Sequence, residues 1–294
     1  MTEPSPLAGP GAVAARRLAE RAREISDGRL TPAVPRDAAT VILLRDTAAG
    51  PEVFLLRRTA ELEFAPGACV FPGGSVDAHD ADEGVAWAGP GPADFGARLG
   101  VPADRARALV CAAVRETFEE SGVLLAGSPL AGAAPVGNSP GLAGDRHALL
   151  AGATSFGEVL SRLGLELRAD LLTPWARWIT PEASPRRFDT WFFAAALPPG
   201  QTASEAPEGV ADHADPGESE SGMWLRPAAA LEAARAGQLT LLPPTAVTLG
   251  ELAAYPDVAG VLAARRAITP RLPRVVVEDG RPRLVMPPGA GEPA

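Results

Sequence analysis

The chain of 294 residues contains no lysine and has only two cysteines, three histidines and one tyrosine. Two cysteines, Cys69 and Cys111, are too few for a disulfide framework. Because each lies in an apolar stretch, we expect two buried thiols in a reducing compartment. The histidines, His79, His147 and His213, lie in unrelated segments. This spacing argues against a catalytic role for any of them.

Long apolar runs and an excess of positive charge are also missing. No apolar stretch reaches the roughly 18 residues that a bilayer-spanning helix needs, and the N-terminus has no signal-peptide core. With 36 acidic residues against 27 basic ones, the net charge is −9, which speaks against a polynucleotide partner. We therefore expect a cytoplasmic protein that binds neither a polynucleotide nor a membrane.

The order of helix-like and strand-like segments predicts an α/β protein, and the 46% hydrophobic content permits a sizeable core. We expect an N-terminal helix or flexible segment at 1–35, one main domain at 36–269, and a C-terminal hairpin and tail at 270–294. Within the main domain, the periodicity predicts a single helix from His147 to Leu163, with Asp145 as its cap.

The segment Ala103–Ser121 has the pattern of one long helix that ends before Gly122. Near its end, six residues contain an arginine and three glutamates, namely Arg115, Glu116, Glu119 and Glu120. At about 100° per residue, the three glutamates project within an arc of about 100°. Converging carboxylates repel one another unless cations lie between them, and Mg2+ and Mn2+ prefer oxygen ligands. The alternative is an exposed acidic face in which Arg115 pairs with Glu119 one turn later.

A second segment, Cys69 to Asp77, is typical of a strand that ends in a Pro-Gly-Gly turn. Adjacent glycines, Gly73 and Gly74, let the backbone approach a ligand closely and expose its N–H groups, which suits a phosphate group. Two acids follow closely. Asp77 and Asp80 are either acids that support the site or caps of a short helix.

Together these segments resemble the Nudix hydrolases, whose signature is a glycine, five residues, a glutamate, seven residues and then Arg-Glu-apolar-any-Glu-Glu-any-Gly-apolar. Gly74 takes the place of the opening glycine, Asp80 that of the acid, and Thr117 that of an aliphatic residue. Asp80 and Arg115 are separated by 34 residues where the signature has seven, which leaves 34 − 7 = 27 extra residues at about 81–107. We expect Trp87 and Phe95 in this insertion to form a small satellite core.

An interrupted signature of this kind resembles the peroxisomal coenzyme A diphosphatase-like branch of the family. Two later stretches are similar to the same branch, from Trp175 to Phe193 and from Leu242 to Thr245. The resemblance implies a Nudix fold, with a mixed β-sheet sandwiched between helices, an inserted segment in the Nudix motif and extra C-terminal helices.

The resemblance also implies a metal-dependent hydrolase that cleaves the diphosphate linkage of a nucleoside diphosphate derivative with Mg2+ or Mn2+. Glu116, Glu119 and Glu120 are then the metal ligands and catalytic acids, and Arg115 orients them. The substrate-binding candidates are Gly73, Gly74, Arg186 and Arg187. The general base is one of the three glutamates or a residue of a later loop, for which the candidates are Glu218 and Glu220.

The substrate is indicated by a pattern upstream of the glycines. Leu55, Leu56, Gly67 and the Phe-Pro-Gly-Gly run match coenzyme A-cleaving members, which favours coenzyme A or acyl-CoA. Glu63 stands where those members have an arginine, so ADP-ribose or a dinucleotide is an alternative substrate. A non-catalytic Nudix module that binds a nucleotide and regulates a partner is the alternative from another class. A homodimer is left open.

Overall fold

The computed structural model describes residues 10–59, 67–128, 140–204, 219–278 and 281–287. The helices are α1 (Pro10–Ser26), α2 (Pro92–Leu99), α3 (Ala103–Ser121), α4 (Pro140–Leu150), α5 (Phe156–Leu163), α6 (Pro227–Arg235), α7 (Pro243–Leu252) and α8 (Val258–Ala263). The strands are β1 (Arg36–Thr47), β2 (Gly50–Arg58), β3 (Ala68–Val70), β4 (Gly73–Ser75), β5 (Trp87–Ala88), β6 (Ala126–Gly127), β7 (Glu166–Arg168), β8 (Thr173–Ile179), β9 (Phe188–Ala196), β10 (Ser219–Leu225), β11 (Thr240–Leu241), β12 (Pro270–Arg271), β13 (Arg274–Glu278) and β14 (Arg281–Val285).

The main sheet is mixed, as the resemblance implies. Its strand order among the described residues is β11-β3-β2-β1-β9-β8-β12, while β10 also pairs with β2 and β4 with β1. The β1–β2, β2–β3 and β2–β10 pairs are antiparallel, whereas the β3–β11 and β8–β12 pairs are parallel. β1 and β2 carry continuous buried runs because both faces of these central strands are covered.

The described residues divide into two compact units. The first contains 10–37, 177–190 and 269–287, and the second contains 38–176 and 191–268. In the first unit, α1 lies against the hairpin of β13 and β14, which pair antiparallel from Arg274–Val285 to Glu278–Arg281. The predicted C-terminal hairpin is therefore confirmed, while its Asp279-Gly280 turn lies outside the described residues.

The helix α3 runs through the core of the second unit. It spans the predicted residues Ala103–Ser121 and ends at Gly122, whose φ is +72° and whose N–H donates to the carbonyl of Phe118. From Leu109 to Val114 every side chain is buried. This burial on all sides fixes the rotation of the helix, so its last turns present the acidic residues in one direction.

The insertion forms β5, α2 and the first turn of α3. Phe95 and Leu99 of α2 are fully buried in the main core, where the Phe95 ring lies 6.3 Å from that of Phe193. Trp87 packs edge-on against Phe95 at 6.4 Å, and its strand β5 pairs in parallel with β7. The expected satellite core is therefore wrong, because the insertion supplies part of the main core.

The predicted single helix from His147 to Leu163 is also wrong. The structure has two helices, α4 and α5, separated by Gly152 with φ +66°. Ser155 begins α5 as its N-cap and forms a reciprocal capping box with Glu158. Asp145 lies inside α4, where it pairs with Arg162 at 2.5 Å and caps nothing. After β10, α6, α7 and α8 are the expected extra C-terminal helices. No helix in the described ranges is long and apolar enough to cross a bilayer.

Candidate functional site

The Pro-Gly-Gly turn lies beside the last turns of α3. Strand β4 pairs with β1 and places Gly73 opposite Thr40 and Gly74 opposite Ala39. A Cβ on Gly73 would come within 2.7 Å of the Thr40 Cα, so the close strand pairing requires glycine there. The Gly73 N–H donates to Oε2 of Glu120 at 2.7 Å. The turn and the acidic helix are therefore joined directly.

Gly74 makes room for the carboxylate of Glu116. A Cβ at Gly74 would lie 2.5 Å from Cδ and 2.6 Å from Oε2 of Glu116. Atoms in proteins do not approach so closely without displacement, and the partly buried Glu116 carboxylate is held by Arg115 at 2.9 Å. Gly73 thus provides an N–H donor to Glu120, and Gly74 leaves the space that the Glu116 carboxylate occupies.

We expect Gly74→Ala to lower any metal-dependent turnover about tenfold, because the new methyl group displaces the Glu116 carboxylate. Gly250→Ala is the matched control, since a Cβ at this exposed position in α7 meets no atom within 4 Å. The control should keep its turnover and gain about 0.5–1 kcal/mol in the free energy of unfolding. Steady-state kinetics and urea denaturation measure the two effects. Unchanged turnover in Gly74→Ala would show that the position of Glu116 is unimportant.

Arg115 holds the acids together from the middle of the cluster. Its Nε and Nη2 donate to the two Asp80 oxygens at 2.9 Å each, and Nη2 also donates to the Ser75 carbonyl at 3.0 Å. Nη1 donates to Glu116 at 2.9 Å and to Glu119 at 3.2 Å. One guanidinium therefore orients two of the glutamates while Asp80 fixes the guanidinium itself.

The sequence allows Asp77 and Asp80 to be either caps of a short helix or acids that support the site, and the structure gives one role to each. Asp77 caps the short 3-10 turn Ala78–Ala81 by accepting from the His79 N–H at 2.8 Å. Asp80 also accepts from the Asp77 N–H at 2.7 Å, but its side chain is only 1% exposed and carries the bidentate pair with Arg115. Asp80 is thus the buried acid that supports the site.

Burial and mutual repulsion disturb the titration of the glutamates. Burial raises the pKa of Glu116 to about 7, Arg115 counteracts it, and the neighbouring Glu119 raises it further. Burial likewise raises the pKa of Glu119, again against the effect of Arg115. Burial alone would lower the pKa of Arg115, yet the pKa is raised because Asp80, Glu116 and Glu119 surround the guanidinium. Clustered, buried carboxylates of this kind are common at functional sites.

Arg146 is a residue near the site that the sequence did not point to. Its side chain is buried, and its guanidinium donates to the Glu119 carbonyl at 2.8 Å and to the Ser204 carbonyl at 3.3 Å. It therefore supports the C-terminal end of α3, where carbonyls lack helical partners. Burial lowers the pKa of Arg146 to about 10, while Glu120 and Glu119 raise it. No motif marks Arg146 in the sequence.

The donor set of the three glutamates fits a hard divalent cation, since every donor is a carboxylate oxygen. Their carboxylates are held by protein donors, with Glu116 and Glu119 on Arg115 and Glu120 on the Gly73 N–H. Within the described ranges, no group of three or more His, Cys, Asp or Glu side chains has the arrangement of a formed metal site. A cation would therefore bind in exchange for part of these contacts.

The remaining predicted site residues lie elsewhere in the chain. Arg186 is exposed in the first unit. Its neighbour Arg187 is buried, and its guanidinium donates to the carbonyls of Ala33 at 2.7 Å and Thr180 at 3.1 Å. Glu218 lies outside the described residues, as does Glu63. Glu220 lies in β10 at an irregularity in its pairing with β2.

A family model and two curated relatives show which family the chain is similar to. The family model for the NUDT19 Nudix domain matches residues 93–252. The human acyl-coenzyme A diphosphatase NUDT19 is 32% identical over 244 residues, covering 71% of this chain and 62% of that protein. The chicken protein of the same name is 29% identical over 259 residues, covering 71% of this chain and 65% of that protein. The chain thus spans a little under two thirds of the length of these curated relatives.

A solved structure has the same fold. The crystal structure of a NUDIX hydrolase from Alicyclobacillus acidocaldarius aligns with a TM-score of 0.62 and 26% identity. The alignment covers 80% of this chain and 99% of that chain. The expected fold, a mixed sheet with helices, is therefore confirmed.

Proposed function

The chain belongs to the Nudix hydrolase family, and we propose that it is a metal-dependent diphosphatase that cleaves a nucleoside diphosphate derivative, with coenzyme A or acyl-CoA as substrate. The observation that carries the proposal is the cluster in which Arg115 binds Glu116 and Glu119 while Gly73 binds Glu120. Diphosphate hydrolysis requires neutralised phosphoryl groups, an activated water and a stabilised leaving group. An acidic protein needs a cation at such a site.

Nudix hydrolases in general use a divalent cation, and we propose Mg2+ or Mn2+ here, held by Glu116, Glu119 and Glu120. When bound, such a cation neutralises phosphate charge and lowers the pKa of coordinated water. Residues of the chain position the glutamates and the diphosphate. Arg115 keeps the glutamates in place, and the glycine turn lets the diphosphate approach the backbone.

One of the three glutamates, or Glu218 or Glu220 from the later segment, takes the proton of the attacking water. Coupled carboxylates share their titration, so kinetics must separate them. Arg186 is the arginine we propose for substrate contact, because it is exposed. The guanidinium of Arg187 already donates to two carbonyls, which makes it the weaker candidate.

The names of the human and chicken relatives support coenzyme A derivatives as substrates. Nudix enzymes act on small nucleotide molecules, and ADP-ribose or a dinucleotide is the second candidate, favoured by Glu63 in the place of an arginine. A non-catalytic regulatory module is the third. Such modules commonly lose a helix acid, whereas this chain retains all three glutamates.

We expect coenzyme A with Mg2+ to yield 3′,5′-ADP and phosphopantetheine, measured by mass spectrometry beside ADP-ribose and a dinucleotide. Removing the divalent cation with EDTA should abolish turnover, and adding Mg2+ or Mn2+ should restore it, because the carboxylates alone repel the substrate. Preference for ADP-ribose would overturn the coenzyme A assignment. Binding without turnover of any panel member would favour the regulatory module.

We also propose a cytoplasmic location and a domain division for the protein. Cys69 and Cys111 are buried and form no disulfide, which supports the proposed cytoplasmic location. The main domain at 36–269, the flanking segments at 1–35 and 270–294, and a homodimer are proposals that limited proteolysis and sedimentation measurements would test.

A further inference from the structure

A cavity in the 38–176 and 191–268 unit shares no lining residue with the glutamate site. Its volume is about 310 Å³, at the lower end of the range for small-molecule sites. Its lining combines two arginines, one acid and several leucines, including Arg98, Arg265, Asp170, Leu171, Leu172 and Leu262. The insertion contributes to it, because Arg98 lies in α2.

The charge of the lining is positive. Neither Arg98 nor Arg265 pairs with a carboxylate among the residues that the structure describes. Partial burial lowers the pKa of Arg98, and the nearby positive charge of Arg265 lowers it further. The lining acid Asp170 is already neutralised, since both of its oxygens accept from Arg168 at 2.7 Å.

One wall of the cavity has a fixed backbone. Gly89 has φ +90°, and a Cβ there would lie 2.6 Å from the Asp170 nitrogen, so the turn packs directly on the segment that contains Asp170. The indole Nε1 of Trp87 donates to the carbonyl of Pro90, which lines the cavity, at 2.8 Å. Two arginines therefore line a cavity whose wall is held in place.

We propose that this cavity binds the phosphate group of a small organic phosphate. Arg98 and Arg265 bind the phosphate oxygens, and Leu171, Leu172 and Leu262 contact the organic part. A phosphate dianion neutralises both guanidiniums and offers three acceptor oxygens, whereas a single carboxylate neutralises one. The proposal is independent of the chemistry at Glu116, Glu119 and Glu120.

Calorimetric titration with phenyl phosphate in EDTA tests this site apart from the metal-dependent one. We expect binding to the unmodified protein and at least about a tenfold weaker Kd in Arg98→Gln and in Arg265→Gln, the scale of losing a charge-assisted hydrogen bond. Arg235→Gln is the matched control, because Arg235 is exposed at the end of α6 and outside the cavity. Its Kd should stay unchanged, as should that of Glu119→Gln.

Three results would overturn the proposal. The first is no measurable heat at millimolar phenyl phosphate, and the second is equal Kd values for the unmodified protein and both arginine variants. The third is equally tight binding of benzoate, which carries the same ring with a single negative charge. Arg98 and Arg265 are both exposed, so the thermal midpoints of their variants should match that of the unmodified protein, which makes a weaker Kd a statement about binding.

Discussion

Replacing Glu119 or Glu120 by glutamine should lower turnover by at least about 100-fold, the scale of losing a principal electrostatic stabiliser. Glutamine keeps the shape of glutamate and removes the negative charge that a divalent cation requires. At position 120 the amide oxygen still accepts from the Gly73 N–H, a bond of 2.7 Å in the structure. The loss therefore reports the charge and not the helix–turn contact.

The measurements for this prediction are kcat with a saturating divalent cation and the affinity for Mn2+ by paramagnetic resonance. Both variants should bind Mn2+ more weakly than the unmodified protein. Glu232→Gln is the control, since Glu232 is exposed on α6; it should leave both quantities unchanged. Full activity in both the Glu119 and Glu120 variants would remove these residues from the proposed metal site.

Local signals explain what the sequence predicts well. The bounds of α3 follow from an apolar pattern and from Gly122, which accepts the left-handed conformation at its end. The three glutamates share this one helix, so their grouping needs no knowledge of the fold. The pairs of β1 with β2 and of β13 with β14 are similarly local, because each joins neighbouring segments.

Local signals do not predict contacts between segments that are distant in the sequence. Asp80 reaches Arg115 across 35 positions, and the clearance between Gly74 and Glu116 depends on how β4 lies beside α3. Arg146 binds the end of α3 from another helix and has no motif of its own. Burial and pairing at such positions depend on tertiary packing, which periodicity does not record.

Two predictions, the single helix from His147 to Leu163 and the satellite core, were wrong although the sequence contains local signals against them. Ser155 followed by Glu158 is a capping-box pattern, and together with Gly152 it marks the start of a new helix at α5. In the insertion, Phe95 and Leu99 lie four residues apart, the spacing of a buried helix face. The expected satellite core of Trp87 and Phe95 overlooked this spacing.

Replacing Arg115 by methionine should cost about 3–5 kcal/mol in the free energy of unfolding, the range for removing one partner of a buried ion pair. Arg115 and Asp80 are 11% and 1% exposed, and two hydrogen bonds of 2.9 Å join them. The variant leaves the Asp80 charge buried without its guanidinium. It also releases Glu116 and Glu119, so turnover should fall together with stability.

A double-mutant cycle separates the two consequences. Arg115→Met combined with Asp80→Leu removes both charges and should recover most of the lost stability, since no unpaired charge stays buried. Turnover should not recover, because Glu116 and Glu119 still lack the Arg115 guanidinium that donates to both of them. Arg29→Met, at an exposed pair with Asp27, is the control and should unfold like the unmodified protein. Equal urea midpoints for the unmodified protein and both single variants would show that other contacts orient the glutamates.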